Sequence, residues 1–530
     1  MAFDYEGIIV PIPLGMGGQN NNRNLTLIPP TDLISALNLS FRFGMLEREG
    51  GSVKINTTAI SGTPTITALW DYFPTPGTQR LVVATSDGKL FKDDDDNFGT
   101  ELKTGLGTNK FSMFVEAGAE ATANDKKLFH FNGNDVVQVL AADGATTANI
   151  STPPADWATD EQPTGGVVHN GRLWAWSKHL IYASLIADHE DFTAAGTLTF
   201  GVFSGEGERI IAARSIRGRL FIWKYPHGLY WLNDDDTNVA NWTIKKLSSS
   251  IGGASPLCHV EVDNDVVFMD ANGKIHALSA VDELGDMRAS DLTSSLNVLP
   301  FLDESMNRSR TNFVQAVYYP IKREAHFVVT GAGASENNRR LVFDFNLQAP
   351  RWRWSDKDDV CASIALRRDG DDIQVPIIGD DVGVAWTLDA TALNIGGTGA
   401  YRSEFQTPHI DFSHDDQIGK LGKVLRKDYD FLEFTIIPEG AHDMIVDVFH
   451  DGELAETIAF NMGPAGFILD SSLLDIDKFG GVLTKVRHRL HGASHRFSVR
   501  GVITTPDDAF SIVEMAVYLR METDKPVAQE

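Results

Sequence analysis

The sequence predicts an all-β chain: an irregular β-propeller of six or seven blades followed by a C-terminal, jelly-roll-like β-sandwich. Three observations predict it. Helical periodicity is scarce, and short runs rich in Val, Ile, Phe, Trp and Thr alternate with Gly, Asn and Asp turns. One turn pattern recurs: a turn residue, Gly, a basic residue, an aliphatic one, then an aromatic ring. It stands at Asp87-Gly88-Lys89-Leu90-Phe91, Asn170-Gly171-Arg172-Leu173-Trp174, Arg217-Gly218-Arg219-Leu220-Phe221 and Asn272-Gly273-Lys274-Ile275-His276. Near Ala390 the texture changes, and longer alternating strands follow.

The turns justify the propeller. Asn-Gly and Asp-Gly pairs suit tight hairpins, whose two central positions take positive φ. Asn132-Gly133 and Asp369-Gly370 extend the series, and Lys322-Arg323 marks the turn of an otherwise unmarked repeat. The markers recur at a loose period of roughly 40–50 residues, as propeller blades do. A blade buries its faces only against its neighbours, so the ring is expected to need all its repeats.

Taken in order, residues 1–52 read as an extended N-terminal arm with one short helix. The helix is placed at Thr31 to Leu39, with Leu33, Ile34 and Leu37 on one side and Thr31 or Asp32 as cap. Residues 53–392 read as the propeller. The Gly-rich run Asn394-Ile395-Gly396-Gly397-Thr398-Gly399 marks a boundary. Residues 393–525 read as the sandwich, with alternating segments around Phe434, Val446, Val499 and Val517 and a turn at Asp451-Gly452. Residues 526–530 are a polar tail.

Composition narrows the partners. Lys and Arg number 46 against 72 Asp and Glu, a formal charge of −26 over 530 residues. A protein that grips phosphate needs a local basic surplus. Here there are short clusters only, such as Lys420-Lys423-Arg426-Lys427 and Arg487-His488-Arg489. The composition therefore argues against tight wrapping of DNA and leaves sliding contact with DNA, or contact with protein only. Two cysteines, Cys258 and Cys361, rule out a disulfide scaffold and paired-thiol zinc modules. No run reaches the ~18 apolar residues of a membrane span. The acidic start Met1-Ala2-Phe3-Asp4-Tyr5-Glu6 is unlike a signal peptide, so folding in a cytoplasm is expected.

Catalytic motifs are not found. Gly15-Met16-Gly17-Gly18 lacks the Gly-Lys-Ser/Thr ending of a phosphate loop, and Gly331-Ala332-Gly333 lacks the third Gly of a dinucleotide fingerprint. Neither His-Glu-x-x-His nor Gly-x-Ser-x-Gly occurs. His488, His491 and His495 cluster in sequence without a carboxylate neighbour. No catalytic set, metal or cofactor is predicted. The runs Asp93, Asp94, Asp95, Asp96 and Asp234, Asp235, Asp236 lack the alternate spacing of a calcium loop. They read as solvated loops, with an acidic ring facing a channel as the functional alternative. Trp174 with Trp176, and Trp352 with Trp354, sit two apart and share a strand face, which favours core packing over a carbohydrate platform.

Three features together resemble the tail nozzle, or tail-hub and packaged-DNA-stabilising, proteins of short-tailed double-stranded DNA phages. The opening is Pro30-Thr31-Asp32-Leu33 through Ala36-Leu37-Asn38, then Phe41-Arg42-Phe43-Gly44-Met45-Leu46-Glu47-Arg48-Glu49-Gly50-Gly51. It is similar to that family's usual start. The irregular propeller is the second feature. The third is Phe405-Gln406-Thr407-Pro408-His409-Ile410-Asp411-Phe412, similar to the segment where these proteins leave the propeller. One departure is that family members often carry Arg-Arg-Gly-Tyr where this chain has Glu47-Arg48-Glu49-Gly50-Gly51.

The resemblance implies a structural virion protein and no enzyme. Six copies would form a tube below the portal and adaptor, assembled in the host bacterial cytoplasm, with tail fibres or spikes as further partners. The tube would retain packaged DNA and conduct it during ejection. A strongly acidic wall suits that task, because it repels phosphate and lets DNA slide. The acidic runs are candidate channel loops. Lys420, Lys423, Arg426, Lys427, Arg487 and Arg489 are candidate docking surfaces. A second reading is a propeller enzyme or lectin acting on surface glycans, with paired carboxylates and exposed aromatics at one propeller face. A third is a non-viral propeller scaffold.

Overall fold

A computed structural model describes residues 7–521, apart from 76, 95–96, 119–125, 142–143, 145, 159–161, 187, 203–206, 279–290, 348–349, 358–360, 439, 441 and 464–482. Among the described residues the longest α-helix is Leu299–Ser305, and strands make up nearly everything else regular.

Seven inner strands begin at Ile66, Met113, Gly165, Arg209, His259, Gln315 and Ser363, and each opens an antiparallel meander. They follow one another round an axis, blades one to seven in chain order. Six blades are sheets of their own; blade six, residues 315–355, is continuous with the sandwich. Blade seven is completed by the N-terminal strand Gly51–Lys54, with Trp386 opposite Lys54 and Leu388 opposite Ser52. First and last parts of the propeller are thus hydrogen-bonded to each other, which closes the ring.

Side-chain size sets the packing between blades. Trp174, Trp176, Trp223 and Trp352 are fully buried, as a core reading requires, whereas Trp231 and Trp354 are half-exposed. Room for the rings comes from glycine: a Cβ at Gly165 would lie 2.4 Å from Trp176, and one at Gly166 2.9 Å from Phe131.

The recurrent Gly-basic hairpins fall at two kinds of turn. Asn170-Gly171, Arg217-Gly218, Lys322-Arg323 and Asp369-Gly370 join first to second strands of their blades. Asp87-Gly88, Asn132-Gly133 and Asn272-Gly273 join second to third strands, at the opposite face of the ring. Positive φ at both central positions holds for Asn170-Gly171 and Arg217-Gly218; at Asp87-Gly88 and Asn272-Gly273 only the glycine takes it.

The sandwich is a jelly roll whose first strand lies upstream of the propeller. One sheet runs Leu39–Ser40, Leu46–Arg48, Ser511–Met521, Lys427–Ile437, Thr484–Arg489, and Ile8–Ile12 also pairs with Ser511–Met521. The other runs Ser35–Leu37, Ser403–Gln406, Phe497–Ile503, Asp443–His450, Glu453–Asn461. Between them lies one core, with Leu46, Phe405, Phe434, Val446, Val499 and Val517 buried in it. Such crossing between two sheets is the double Greek key of a jelly roll. The propeller occupies the connection between the strands Leu46–Arg48 and Ser403–Gln406.

The helix expected at Thr31 to Leu39 is absent; that stretch forms the strands Ser35–Leu37 and Leu39–Ser40. Ser35–Leu37 slots between two sheet edges, parallel to the outer strand of blade six at Trp354 and antiparallel to Ser403–Gln406. Two long-range ladders outweigh a local 3.6-residue pattern. Asn38, at φ 53°, breaks the helical path as well. The glycines of Gly15-Met16-Gly17-Gly18 serve close packing: a Cβ at Gly18 would meet Arg351 and the Trp352 backbone at 2.9–3.0 Å.

A buried charge cluster fastens the arm to blade six. Arg340 donates to Glu49 at 2.8 Å and to Ser355 Oγ at 3.1 Å, and Arg353 pairs with Glu324 at 3.0 Å. Lys357 Nζ donates to the carbonyls of Gly50 and Gly51. Asn38 completes the join, accepting from Ser355 Oγ and donating to Asp356 and the Arg402 carbonyl. On the sandwich side, Arg48 donates to the carbonyls of Tyr401, Thr505 and Asp508 and lies 4.0 Å over the Tyr401 ring.

Candidate functional site

The concave feature with the largest chemical variety is on the propeller axis. The inner strands enclose a cavity of about 680 Å³ at the end where they finish, and one of about 310 Å³ where they begin. Gln315 of blade six borders both. Its Nε2 donates to the Thr67 carbonyl of blade one at 2.9 Å, and its Oε1 accepts from the Ile364 amide of blade seven at 3.2 Å.

Aromatic and aliphatic groups form much of the larger cavity's wall, among them Trp70, Phe73, Phe114, Leu257 and Tyr318. Trp70, Phe73 and Tyr318 are half-exposed. Three carboxylates stand with them. Asp71 accepts from the Arg368 amide and from Gln79 Nε2, both at 2.8 Å. Burial pushes its carboxyl up, against those two bonds. Asp263 is engaged by Arg323 and Tyr318 at the mouth. Glu261 is exposed.

Of the two arginines in the wall, Arg368 is exposed and Arg214 is half-buried. It sits on the inner strand Arg209–Ile216, in the run Ile210-Ile211-Ala212-Ala213-Arg214. Its Nη1 donates to the Ala213 carbonyl at 3.1 Å and its Nη2 to the Pro256 carbonyl at 3.0 Å. No carboxylate pairs with it among the described residues. Burial holds its pKa down to about 10, with only the Cys258 thiol acting the other way. His259, its ring tilted 4.4 Å from that of Trp223, is held well below its ordinary value by burial and then by the Arg214 charge, so it is neutral.

The residues singled out from sequence lie elsewhere. Asp93 is no loop charge: its carboxylate accepts from the Leu81 amide at 2.8 Å and pairs with Arg367 of blade seven at 3.1 Å. Asp234 is likewise a buried tie between blades, bonded to His169 at 2.9 Å and Asn170 at 2.6 Å. Asp235 and Asp236 are exposed. The Asn238 amide and the Asn241 side chain hold the Asp236 carboxyl below the usual range. Asp94 ends the strand Lys89–Asp94, and Asp95 and Asp96 lie outside the described residues.

Among the basic candidates Lys427 is a correction. It is fully buried, and its Nζ donates to the carbonyls of Gly422 and His495 inside the sandwich. Burial lowers its pKa to about 8. A lysine there seals two loops and meets no partner. Lys420 and Lys423 are exposed on the turn Gly419–Lys423, beside Leu421 and Val424, which are 55% and 70% exposed. Arg426 is exposed and donates to the Ala493 carbonyl. Arg487 donates to Glu433 at 2.6 Å and lies 4.3 Å over the Tyr518 ring; Arg489 is exposed on the same edge strand, Thr484–Arg489. His488, His491 and His495 form no metal-binding group of three among the described residues.

Sequence reasoning missed the axial cavity. The one available signal was Arg214, a charge in the middle of an apolar inner strand.

No family model matches the chain, and no curated protein matches it. Among solved structures it is similar to Raptor from Chaetomium thermophilum, with a TM-score of 0.43 at 10% identity over 65% of this chain. It spans 29% of that chain. It is also similar to BBS1N crystallised with ARL6DN, with a TM-score of 0.39 at 11% identity over 64% of this chain and 97% of that one.

Proposed function

We propose that the chain is a structural subunit of a ring-shaped tube that retains and conducts double-stranded DNA, of the tail-nozzle kind. The observation that supports it best is the threading of the arm. Strands from residues 8–54 pair with blades six and seven and with both sheets of the jelly roll, so the two domains are tied at several points. A wall that contains pressurised DNA has to resist shear between its parts. A lectin or glycosidase has no such need.

Charge points the same way. A subunit with a formal charge of −26 gives a wall over which a polyanion slides. Six copies would close by a repeated head-to-tail contact. The exposed pair Lys420 and Lys423, flanking exposed Leu421 and Val424, has the mixed apolar and basic character of a contact surface for a neighbouring copy or the portal and adaptor. Fibres or spikes would attach outside, and the virion would be the place of work.

Negative-stain imaging and native mass measurement of the purified chain test this. Hollow rings of six are the expected result. A compact monomer at every concentration and salt tested would overturn it in favour of a propeller enzyme or lectin, or a propeller scaffold.

A further inference from the structure

Arg214 poses a problem that the tube reading does not solve. The side chain is half-buried in the cavity wall, and a cation there with no counter-ion is an open site for an anion. Two of its donors are fixed on the Ala213 and Pro256 carbonyls, which sets the direction of the fork. The rest of the fork has no protein acceptor among the described residues. Its neighbours cannot neutralise it. Burial raises the Cys258 thiol pKa, so that group carries no charge, and His259 is neutral. The three carboxylates of the wall are not paired with it: Asp71 and Asp263 are engaged elsewhere, and Glu261 forms no ion pair with Arg214.

We propose that the axial cavity binds a monocarboxylate carried on an apolar, aromatic-sized body, with its carboxylate on Arg214. A volume of about 680 Å³ lies in the range of small-molecule sites. Trp70, Phe73, Phe114 and Leu257 offer faces for the body, and Arg214 offers a planar fork that matches a carboxylate. Selection for a single charge comes from the mouth. Glu261 and Asp263 stand there, and a dianion or a phosphate would meet them on entry. Two sources supply this chemistry: a free aryl-alkyl acid, or the C-terminal carboxylate of a peptide ending in an aromatic residue. The site is independent of whether the chain forms a ring.

Calorimetric titration of the full chain distinguishes the outcomes. The probes are 3-phenylpropionate, 3-phenylpropionamide, an N-acetylated tripeptide ending in Phe, and the same peptide amidated at its C-terminus. At least one acid is expected to bind, with its amide at least about tenfold weaker. Binding by the small acid alone marks a free ligand, and binding by the peptide acid alone marks a protein terminus. Arg214→Gln should reduce the acid to the level of the amide while the melting temperature stays close to that of the natural chain, because the side chain is half-exposed to the cavity and makes no ion pair among the described residues. Should Arg214→Gln fail to fold, Leu257→Trp, which fills the cavity from its wall, should abolish binding instead. Equal binding of acid and amide, no binding of any probe at millimolar concentration, or unchanged binding in a folded Arg214→Gln chain would overturn the proposal.

Discussion

At Glu49 burial works against the charge and the neighbouring cations work for it. Burial alone would raise the carboxyl, but Arg340, Lys357 and Arg353 hold it down to about 2, against an ordinary value of 4.5. The folded chain therefore keeps this charge to lower pH than the unfolded chain does. Its stabilising contribution is complete above about 4.5 and is lost as the pH falls towards 2. Glu49→Gln leaves Arg340 buried without its counter-ion, and should destabilise the chain at neutral pH by roughly 3–5 kcal/mol. Melting curves across that acid window should also fall less steeply for the variant than for the natural chain; parallel slopes would refute the assignment. Turn glycines test a different term. Gly171 and Gly273 stand at φ 69° and 81°, so valine at either should cost roughly 1–3 kcal/mol, read as a lowered melting temperature. These glycines were legible in sequence because an Asn-Gly pair carries its own turn chemistry. Lys427, Asp93 and Asp234 were not. Their burial is set by His495, Arg367 and His169, partners that no local pattern announces.

Among the elements, Gly51–Lys54 has the most demanding position. It closes blade seven on one side, and on the other Ser52 bonds the backbone of Asn394 and Gly396. A Cβ at Gly51 would lie 2.1 Å from the Asn394 carbonyl oxygen and 2.4 Å from that of Ala392, and backbone cannot swing aside as a side chain can. Gly51→Ala should therefore destabilise by roughly 1–3 kcal/mol through overpacking. Urea melts with intrinsic Trp fluorescence would show it as a lower midpoint, and an unchanged midpoint would mean that the closing strand is loosely seated. The arm was the least legible element. Leu33, Ile34 and Leu37 fit a helical face, yet Leu33 bridges to Gln19 and Leu37 joins the strand Ser35–Leu37 between two sheet edges. Strand content in the blades was easier to read, since short runs rich in β-branched and aromatic residues bounded by turn residues are a local signal. Blade phase was not, because similar turns occur at both faces of the ring, and the marker spacing mixed two registers.

Over the whole molecule, propeller and sandwich were both readable from turn recurrence and the change of texture near Ala390. Their interleaving was not, because Ser35 finds Gln406 and Leu46 finds Ile512 only after the propeller has been threaded between them. The proposed assembly would be decided at this scale by where charge remains free. Arg487 is already matched by Glu433, and Lys427 is buried, which leaves Lys420, Lys423 and Arg489 as exposed members of the basic set without an ion pair among the described residues. Reversing both Lys420 and Lys423 to Glu should leave the melting temperature within the range of ordinary surface changes, about 0.5 kcal/mol. If the chain forms the proposed ring through this surface, the reversal should also dissolve it into single subunits on sizing columns. Rings that persist would move the contact elsewhere. DNA itself gives the last test. If six chains form the proposed ring, duplex DNA should bind its acidic surface weakly, because few counter-ions are released from phosphate, and the little binding seen should weaken further as salt rises. Electrophoretic mobility shifts at low and physiological salt measure this. Submicromolar affinity at physiological salt would mean a gripping lining and would exclude a passive conduit.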